Sequence, residues 1–276
     1  MPTLHVSVVV YHLDENVLER LLVSLDEAIT AATELITGHR ITLIDNGNNR
    51  QTLERILQSY PQVELRSGHG NIGYGRGHNL AILDIGAGPG AEPVSDGPDW
   101  HLVLNPDVYL QSDTLSQGLQ WMTDHPETVA VAPSIRAEDG STEYACKRYP
   151  SVLDLFLRGF MPAFIRRRFA RRLARYEMRD LSTSDATRGV PIISGCFMLF
   201  RGPALRELGG FDPRYFLYFE DFDLSLRAAC LGSIDHLPAM RITHLGGGAS
   251  RKGLRHILLF SRSALRFFRS HGWRWF

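Results

Sequence analysis

The residues best equipped for chemistry are carboxylates in two segments far apart in the chain. Asn105-Pro106-Asp107 closes an apolar run, Trp100-His101-Leu102-Val103-Leu104. A carboxylate at a strand tip, after a proline that stiffens the turn, suits a hard cation. Mg²⁺ takes oxygen ligands and bridges carboxylates to substrate phosphates. An ion there would offset charge building on a diphosphate leaving group. The competing reading is a turn carboxylate capping the next helix. Glu220-Asp221 lies among Tyr215, Phe216, Tyr218, Phe219 and Phe222, just ahead of a helical pattern. A carboxylate beside apolar rings has a raised pKa and suits a general base; the alternative is acids stabilising a helix N-terminus through the macrodipole. His244 precedes a glycine run. Its imidazole is a candidate metal ligand, or a polar residue at a strand end.

Two further stretches stand out. Residues 71–79, Asn-Ile-Gly-Tyr-Gly-Arg-Gly-His-Asn, carry three glycines but neither GxGxxG nor GxxxxGK[ST]. Its asparagines could bond a base, ribose or phosphate, or the run could be a flexible loop ending in a helix cap. Residues 166–175 are arginine-rich. They fit an anionic lipid surface or a polyprenyl-diphosphate, and equally a solvated helix face. Only Phe169 is interleaved there, which speaks against nucleic acid.

The elements that must position these groups follow from hydrophobic periodicity. Residues 6–10, 41–44, 63–65 and 100–104 read as strands, with 129–132 and 192–200 as later ones. Leu18, Leu21, Leu22 and Leu25 mark one helix, and Leu53, Ile56 and Leu57 a second. A third is expected through Ile85, a loop at 86–99, and another helix over 219–227. Strand–helix alternation predicts an α/β, doubly wound, mostly parallel sheet. Ligands bind such sheets beyond the strands' carboxyl ends. Tyr11, Asp45-Asn46 and Asn105-Pro106-Asp107 all sit there.

The chain has 276 residues, with 30 Lys plus Arg against 30 Asp plus Glu, so bulk charge gives no case for nucleic acid. Three scattered cysteines fit a reducing compartment. No secretory signal and no run of about 18 apolar residues is present, so no transmembrane helix is expected. The absence of GxGxxG after the first strand counts against a nicotinamide oxidoreductase.

The order of the segments VSVVVYH, LIDNGN, NIGYGRGHN, LVLNPDV, ISGCFMLFRGPALRELGGFDPRYFLYFEDFDLSLRAACLG and ITHLGGGAS resembles the inverting, GT-A-type glycosyltransferases of family 2, and most of all the bacterial rhamnosyltransferases. The resemblance runs over about residues 6–250. It implies a glycosyltransferase domain at 1–250, with a nucleotide-sugar half at 1–133 and a less regular acceptor and catalytic-base half at 134–250. An amphipathic basic helical tail follows at 251–276.

Site roles come from the same resemblance. Val10 and Tyr11 would line the base pocket, and Asp45, with Asn46 beside it, would bond the base or ribose. Asn71, Gly73, Gly77 and Asn79 would shape the nucleotide and diphosphate pocket. Asp107 matches the last acid of the family's DxD metal motif, with Asn105 in place of the first, so the nucleotide would help to complete a Mg²⁺ or Mn²⁺ site. Asp221 would be the base, Glu220 would orient it or touch the acceptor, and His244 would reach the metal or diphosphate. Asp223 would be structural. The aromatics before Glu220 would stack on sugar rings.

The implied donor is dTDP-L-rhamnose, with UDP-hexose or UDP-galactofuranose as alternatives. The implied acceptor is a glycan or a polyprenyl-diphosphate-linked sugar in cell-surface polysaccharide or lipopolysaccharide synthesis. A non-catalytic sugar-nucleotide-binding homologue is the remaining alternative. A cytoplasmic location, peripheral contact with the inner membrane and a homo-oligomer packed through the Leu/Phe-rich tail complete the expectations.

Overall fold

The computed structural model describes residues 2–83, 97–246 and 253–276. The chain begins with β1 (Thr3–Val10), α1 (Glu15–Ala31), β2 (Gly38–Asp45), α2 (Arg50–Leu57), β3 (Val63–Arg66), α3 (Tyr74–Ile82) and β4 (Trp100–Leu104). Then come β5 (Val108–Leu110), α4 (Thr114–Asp124), β6 (Thr128–Ala137), β7 (Thr142–Glu143) and β8 (Cys146–Lys147). Three short helices follow, α5 (Val152–Phe160), α6 (Ala163–Arg168) and α7 (Ala170–Tyr176). The last elements are β9 (Ile192–Ile193), β10 (Phe197–Arg201), α8 (Gly202–Glu207), α9 (Glu220–Ala228), β11 (Ser233–His244) and α10 (Leu254–His271).

The main sheet runs β3-β2-β1-β4-β10-β6-β11-β5, with β7 on β6. The first four strands are parallel. β10 is antiparallel to both β4 and β6, so the expected, mostly parallel sheet reverses locally at its centre. β1 is buried along nearly its whole length, as a parallel strand covered on both faces must be. α1 presents Leu18, Leu21, Leu22, Leu25, Ala28 and Ile29 to the core; each buried leucine or isoleucine contributes roughly 1.5–3 kcal/mol. Its N-terminus is capped by Asp14, whose Oδ1 accepts from Val17 N at 3.2 Å.

Three expectations need adjustment. The single strand expected at 192–200 is two, because residues 194–196 turn the chain out of the small β8–β9 sheet and into the main one. α3 closes at Ile82, and its expected extension beyond 83 and the loop over 86–96 lie outside the described residues, as do residues 247–252 of the glycine run and tail. The aromatics before Glu220 do not all face a sugar. Tyr215 and Phe219 are buried, and Phe219 packs on Phe222, Phe260 and Phe267 with ring centroids 5.1–5.3 Å apart. Their apolar area is used to seat α10. Among the described residues no helix is long and apolar enough to cross a membrane.

Candidate active site

The carboxyl ends of β1, β2 and β4 lie side by side, since Val10 pairs with Asp45 and Val8 with Leu104. Beyond the end of β4 opens a cleft of about 670 Å³ whose walls include Asn105, Asp107, Glu143, Lys147, Asp221 and His244. The two distant acids therefore face one cavity.

Asp107 sits between β4 and β5. β11 runs antiparallel to β5 and delivers His244 opposite Val108, and Leu245 N donates to Asp107 O at 2.9 Å. His244 Nε2 lies 3.4 Å from Asp107 Oδ1, and Nδ1 lies 2.9 Å from Glu143 Oε2. Burial alone would lower the imidazole pKa, but the bonds and charges of Asp107 and Glu143 outweigh it and push it up to about 9. Among the described residues no cluster of three or more His, Cys, Asp or Glu side chains has metal-holding geometry. The donor set does fit a shared site. In such a site Asp107 and His244 would be two ligands, and Glu143, bonded to the other ring nitrogen, would hold the imidazole as carboxylates do behind metal-bound histidines.

Asp221 opens α9 after an unusual backbone. Tyr218 and Phe219 both have left-handed torsions, φ 71° and 67°. Each costs on the order of 1–3 kcal/mol for a non-glycine residue, and the packing of Phe219 holds the bend. Asp221 Oδ2 accepts from Gly195 N at 3.1 Å, and Oδ1 from Phe222 N at 3.0 Å. Burial raises its pKa; those backbone bonds and the Lys147 charge moderate the rise. Glu220 is buried, and burial together with the neighbouring Asp221 charge holds its carboxyl well above the usual carboxylate range.

The turn at 194–196 ties the two acids together. Gly195 N reaches Asp221, Gly195 O accepts from the Tyr74 hydroxyl at 2.6 Å, and Cys196 O accepts from Asn105 N at 2.9 Å. One short segment thus spaces the β4 tip from the start of α9.

The other expected residues are placed as follows. Val10 is buried in the core and offers its main chain, whose carbonyl accepts from Asn46 N at 2.8 Å. Tyr11 is 46% exposed at the strand end. Asp45 is buried, and its carboxylate accepts from Gly47 N, Asn49 N and Asn49 Nδ2. It organises the loop at 46–49. Asn46 Nδ2 donates to Gly73 O at 2.9 Å. Asn71 Oδ1 accepts from Gly73 N at 3.0 Å. Gly73 has φ 93°, and a Cβ there would lie 2.5 Å from Phe216 O. At Gly77 a Cβ would meet Val9 at 2.8 Å. Asn79 clamps both main-chain groups of Phe211, at 2.7 and 2.8 Å. Gly73, Gly77 and Asn79 thus bring α3 close to β1 and to the segment at 211–216. Asp223 is structural, bonded by Arg227 and His271 at 2.8 Å each.

Sequence reasoning missed Glu143, Gly195 and Lys147. β7 and β8 are two residues each, too short for a periodic signal. Gly195 lay inside a recognised segment, and its glycine was the available signal. Lys147 is buried with Nζ bonded to Tyr144 O. Burial, then the Arg158 charge, pull its pKa down to about 8, against Glu177, Cys146 and Asp221. Because the Lys147 charge favours ionised Asp221, Lys147→Met should move the acid limb of kcat/KM to higher pH. An unmoved limb in a pH–rate profile would show that the two groups are uncoupled.

No family model matches the chain. A curated relative, the N-acetylglucosaminyl-diphospho-decaprenol L-rhamnosyltransferase of Mycobacterium tuberculosis (strain ATCC 25618 / H37Rv), is 32% identical over 262 residues, covering 93% of this chain and 81% of the relative. The chain belongs to the rhamnosyltransferase branch of the family 2 glycosyltransferases. A second relative of the transferase, rhamnosyltransferase WbbL of Escherichia coli (strain K12), is 27% identical over 239 residues, 86% of this chain and 81% of that protein.

The transferase has the GT-A fold. It superposes on GalNAc-T7, solved with UDP, GalNAc and Mn²⁺, with a TM-score of 0.61 at 16% identity, covering 88% of this chain but only 43% of that larger one. It superposes on the mannosyltransferase PcManGT of Pyrobaculum calidifontis, solved with GDP-Man and Mn²⁺, with a TM-score of 0.60 at 16% identity, covering 96% and 64%.

Proposed function

We propose that this transferase moves L-rhamnose from dTDP-L-rhamnose to a diphosphate-linked sugar on a polyprenyl lipid, with inversion at the anomeric carbon. The observation that carries the reading is the single cleft shared by Asp107 and Asp221. The M. tuberculosis relative, named for a diphospho-decaprenol acceptor, supports the acceptor class.

In this reading Asp221 accepts the proton of the acceptor hydroxyl as that oxygen bonds to the anomeric carbon. The bond from that carbon to the diphosphate oxygen breaks on the opposite face. The Gly195 and Phe222 N–H groups fix the carboxylate's direction. Mg²⁺ or Mn²⁺, held by Asp107 and His244, would supply charge neutralisation on the departing nucleoside diphosphate. Glu143 holds the imidazole in its ligating orientation. Tyr11, exposed where β1 ends, offers a ring face to the base. The loop shaped by Asp45 and Asn46 and the turn at Asn71–Gly73 border the same strand ends, and they take the ribose and diphosphate. Phe222, part of the cleft wall, limits water at the reacting carbon.

UDP-hexose and UDP-galactofuranose are the second reading for the donor. Nucleoside diphosphate release from each sugar nucleotide, with a lipid-linked N-acetylglucosamine diphosphate as acceptor, separates them. The expected result is turnover of dTDP-L-rhamnose well above that of any UDP-sugar. Preferential turnover of a UDP-sugar overturns the rhamnosyl assignment. Binding without turnover of any donor would favour a non-catalytic homologue.

A further inference from the structure

A second basin, of about 360 Å³, lies where α10 crosses the start of α3 and the segment at 213–216. Among the described residues it shares no lining residue with the cleft that Asp107 and Asp221 face. Five arginines line it: Arg76, Arg214, Arg255, Arg262 and Arg266. Among the described residues no carboxylate lines it. Among the described residues Asp212, paired with Arg214 at 2.6 Å, is the one acid within ion-pair distance of any of them. Two of the guanidinium groups are held by main chain, Arg76 by Pro213 O at 2.6 Å and Arg266 by Arg214 O. Five like charges around one hollow repel each other, and an anion with several oxygens relieves that repulsion. Guanidinium forks match phosphate oxygens in pairs.

α10 gives the direction from which such an anion comes. Arg255, Leu259, Arg262 and Arg266 follow each other at four, three and four residues, which makes one stripe along the helix. The inward face buries Ser263, Phe267 and Phe268. Beside the arginine stripe, Leu258 is 70% exposed and Leu265 40% exposed, seven residues apart on one face. A soluble anion has no use for that apolar strip. A helix with arginines beside exposed leucines is the pattern of one lying in a membrane interface. Polynucleotide is disfavoured, because among the described residues Phe216 is the one ring lining the basin.

We infer that the five-arginine basin is a phosphate-headgroup site, through which α10 docks the protein on an anionic lipid surface with Leu258 and Leu265 entering the acyl boundary. The catalytic assignment does not enter this inference.

The test is flotation of the full chain with phosphatidylcholine vesicles, with and without phosphatidylglycerol. Binding is expected only to the anionic vesicles and should fall as salt rises. Arg255→Ala/Arg262→Ala should lower the partition coefficient about thirty-fold, at roughly a factor of five per arginine. Leu258→Ser/Leu265→Ser should also weaken it with charge unchanged. Both pairs are exposed, so melting temperatures should match the parent's. Equal partition of parent and the arginine variant, or of parent and the leucine variant, overturns the inference. Glycerol phosphate, the free headgroup, is the remaining arm. If it protects the basin against thermal unfolding while vesicles do not bind, the site takes small anions and the lipid assignment is wrong.

Discussion

Asp221→Asn should reduce kcat about a thousandfold, within the roughly 10²–10⁴ that a positioned general base contributes, while the donor KM stays near the parent value. The amide is nearly isosteric with the carboxylate. One amide oxygen can still accept from Gly195 N, so the spacing of the cleft should survive. What is lost is a group that can take a proton. The neighbouring acid gives a built-in contrast. Glu220 is buried, with its carboxyl held well above the usual range by burial and by the Asp221 charge. A protonated glutamic acid is mimicked by glutamine, so Glu220→Gln should keep activity within a few-fold near neutral pH. Steady-state kinetics on both variants checks the pair. If Glu220→Gln is the severe lesion and Asp221→Asn the mild one, the two roles are exchanged.

Asp107→Asn should cost about 10²–10³ in kcat, comparable to losing one preorganised contact to developing negative charge. It should also raise the Mn²⁺ concentration needed for half-maximal rate. The reason lies in the ligand count. Asn105 stands where a second acid would add charge, so Asp107 is the sole carboxylate of that motif, with His244 3.4 Å away. Removing its charge leaves an ion held by one imidazole and by the nucleotide's own oxygens. A metal titration of the variant measures this directly. An unchanged requirement would place the ion elsewhere.

Much of the scaffold could be read from periodicity. The buried runs of β1, β2 and β4 and the leucine stripe of α1 repeat over enough residues to give a signal. Asp107 and Asp221 were legible for a different reason. Each sits at the end of an element in a recognised local pattern, and the cleft unites them. The reversal of β10 was hidden, because an apolar run carries no direction. Glu143 and Lys147 were hidden because their strands are two residues long and are defined by partners far away in sequence. Asn79 was expected to shape the nucleotide pocket, and its sequence could not show that its amide clamps the main chain of Phe211. A polar residue beside a glycine-rich turn looks the same in sequence whether it faces a substrate or a main-chain amide. Tyr215 and Phe219 were misread for a related reason. Their burial depends on α10, which lies about forty residues or more downstream.

In the proposed reaction the departing diphosphate lies beside Asp107 and the attacking oxygen beside Asp221, across one anomeric carbon. The most direct measurement is the anomeric configuration of the product, read by NMR coupling at the new linkage and compared with that of the donor. Opposite configurations are predicted, from a single displacement with the two carboxylates on opposite faces. A product that retains the donor's configuration would contradict that arrangement, because the acceptor would then have entered from the side the diphosphate left.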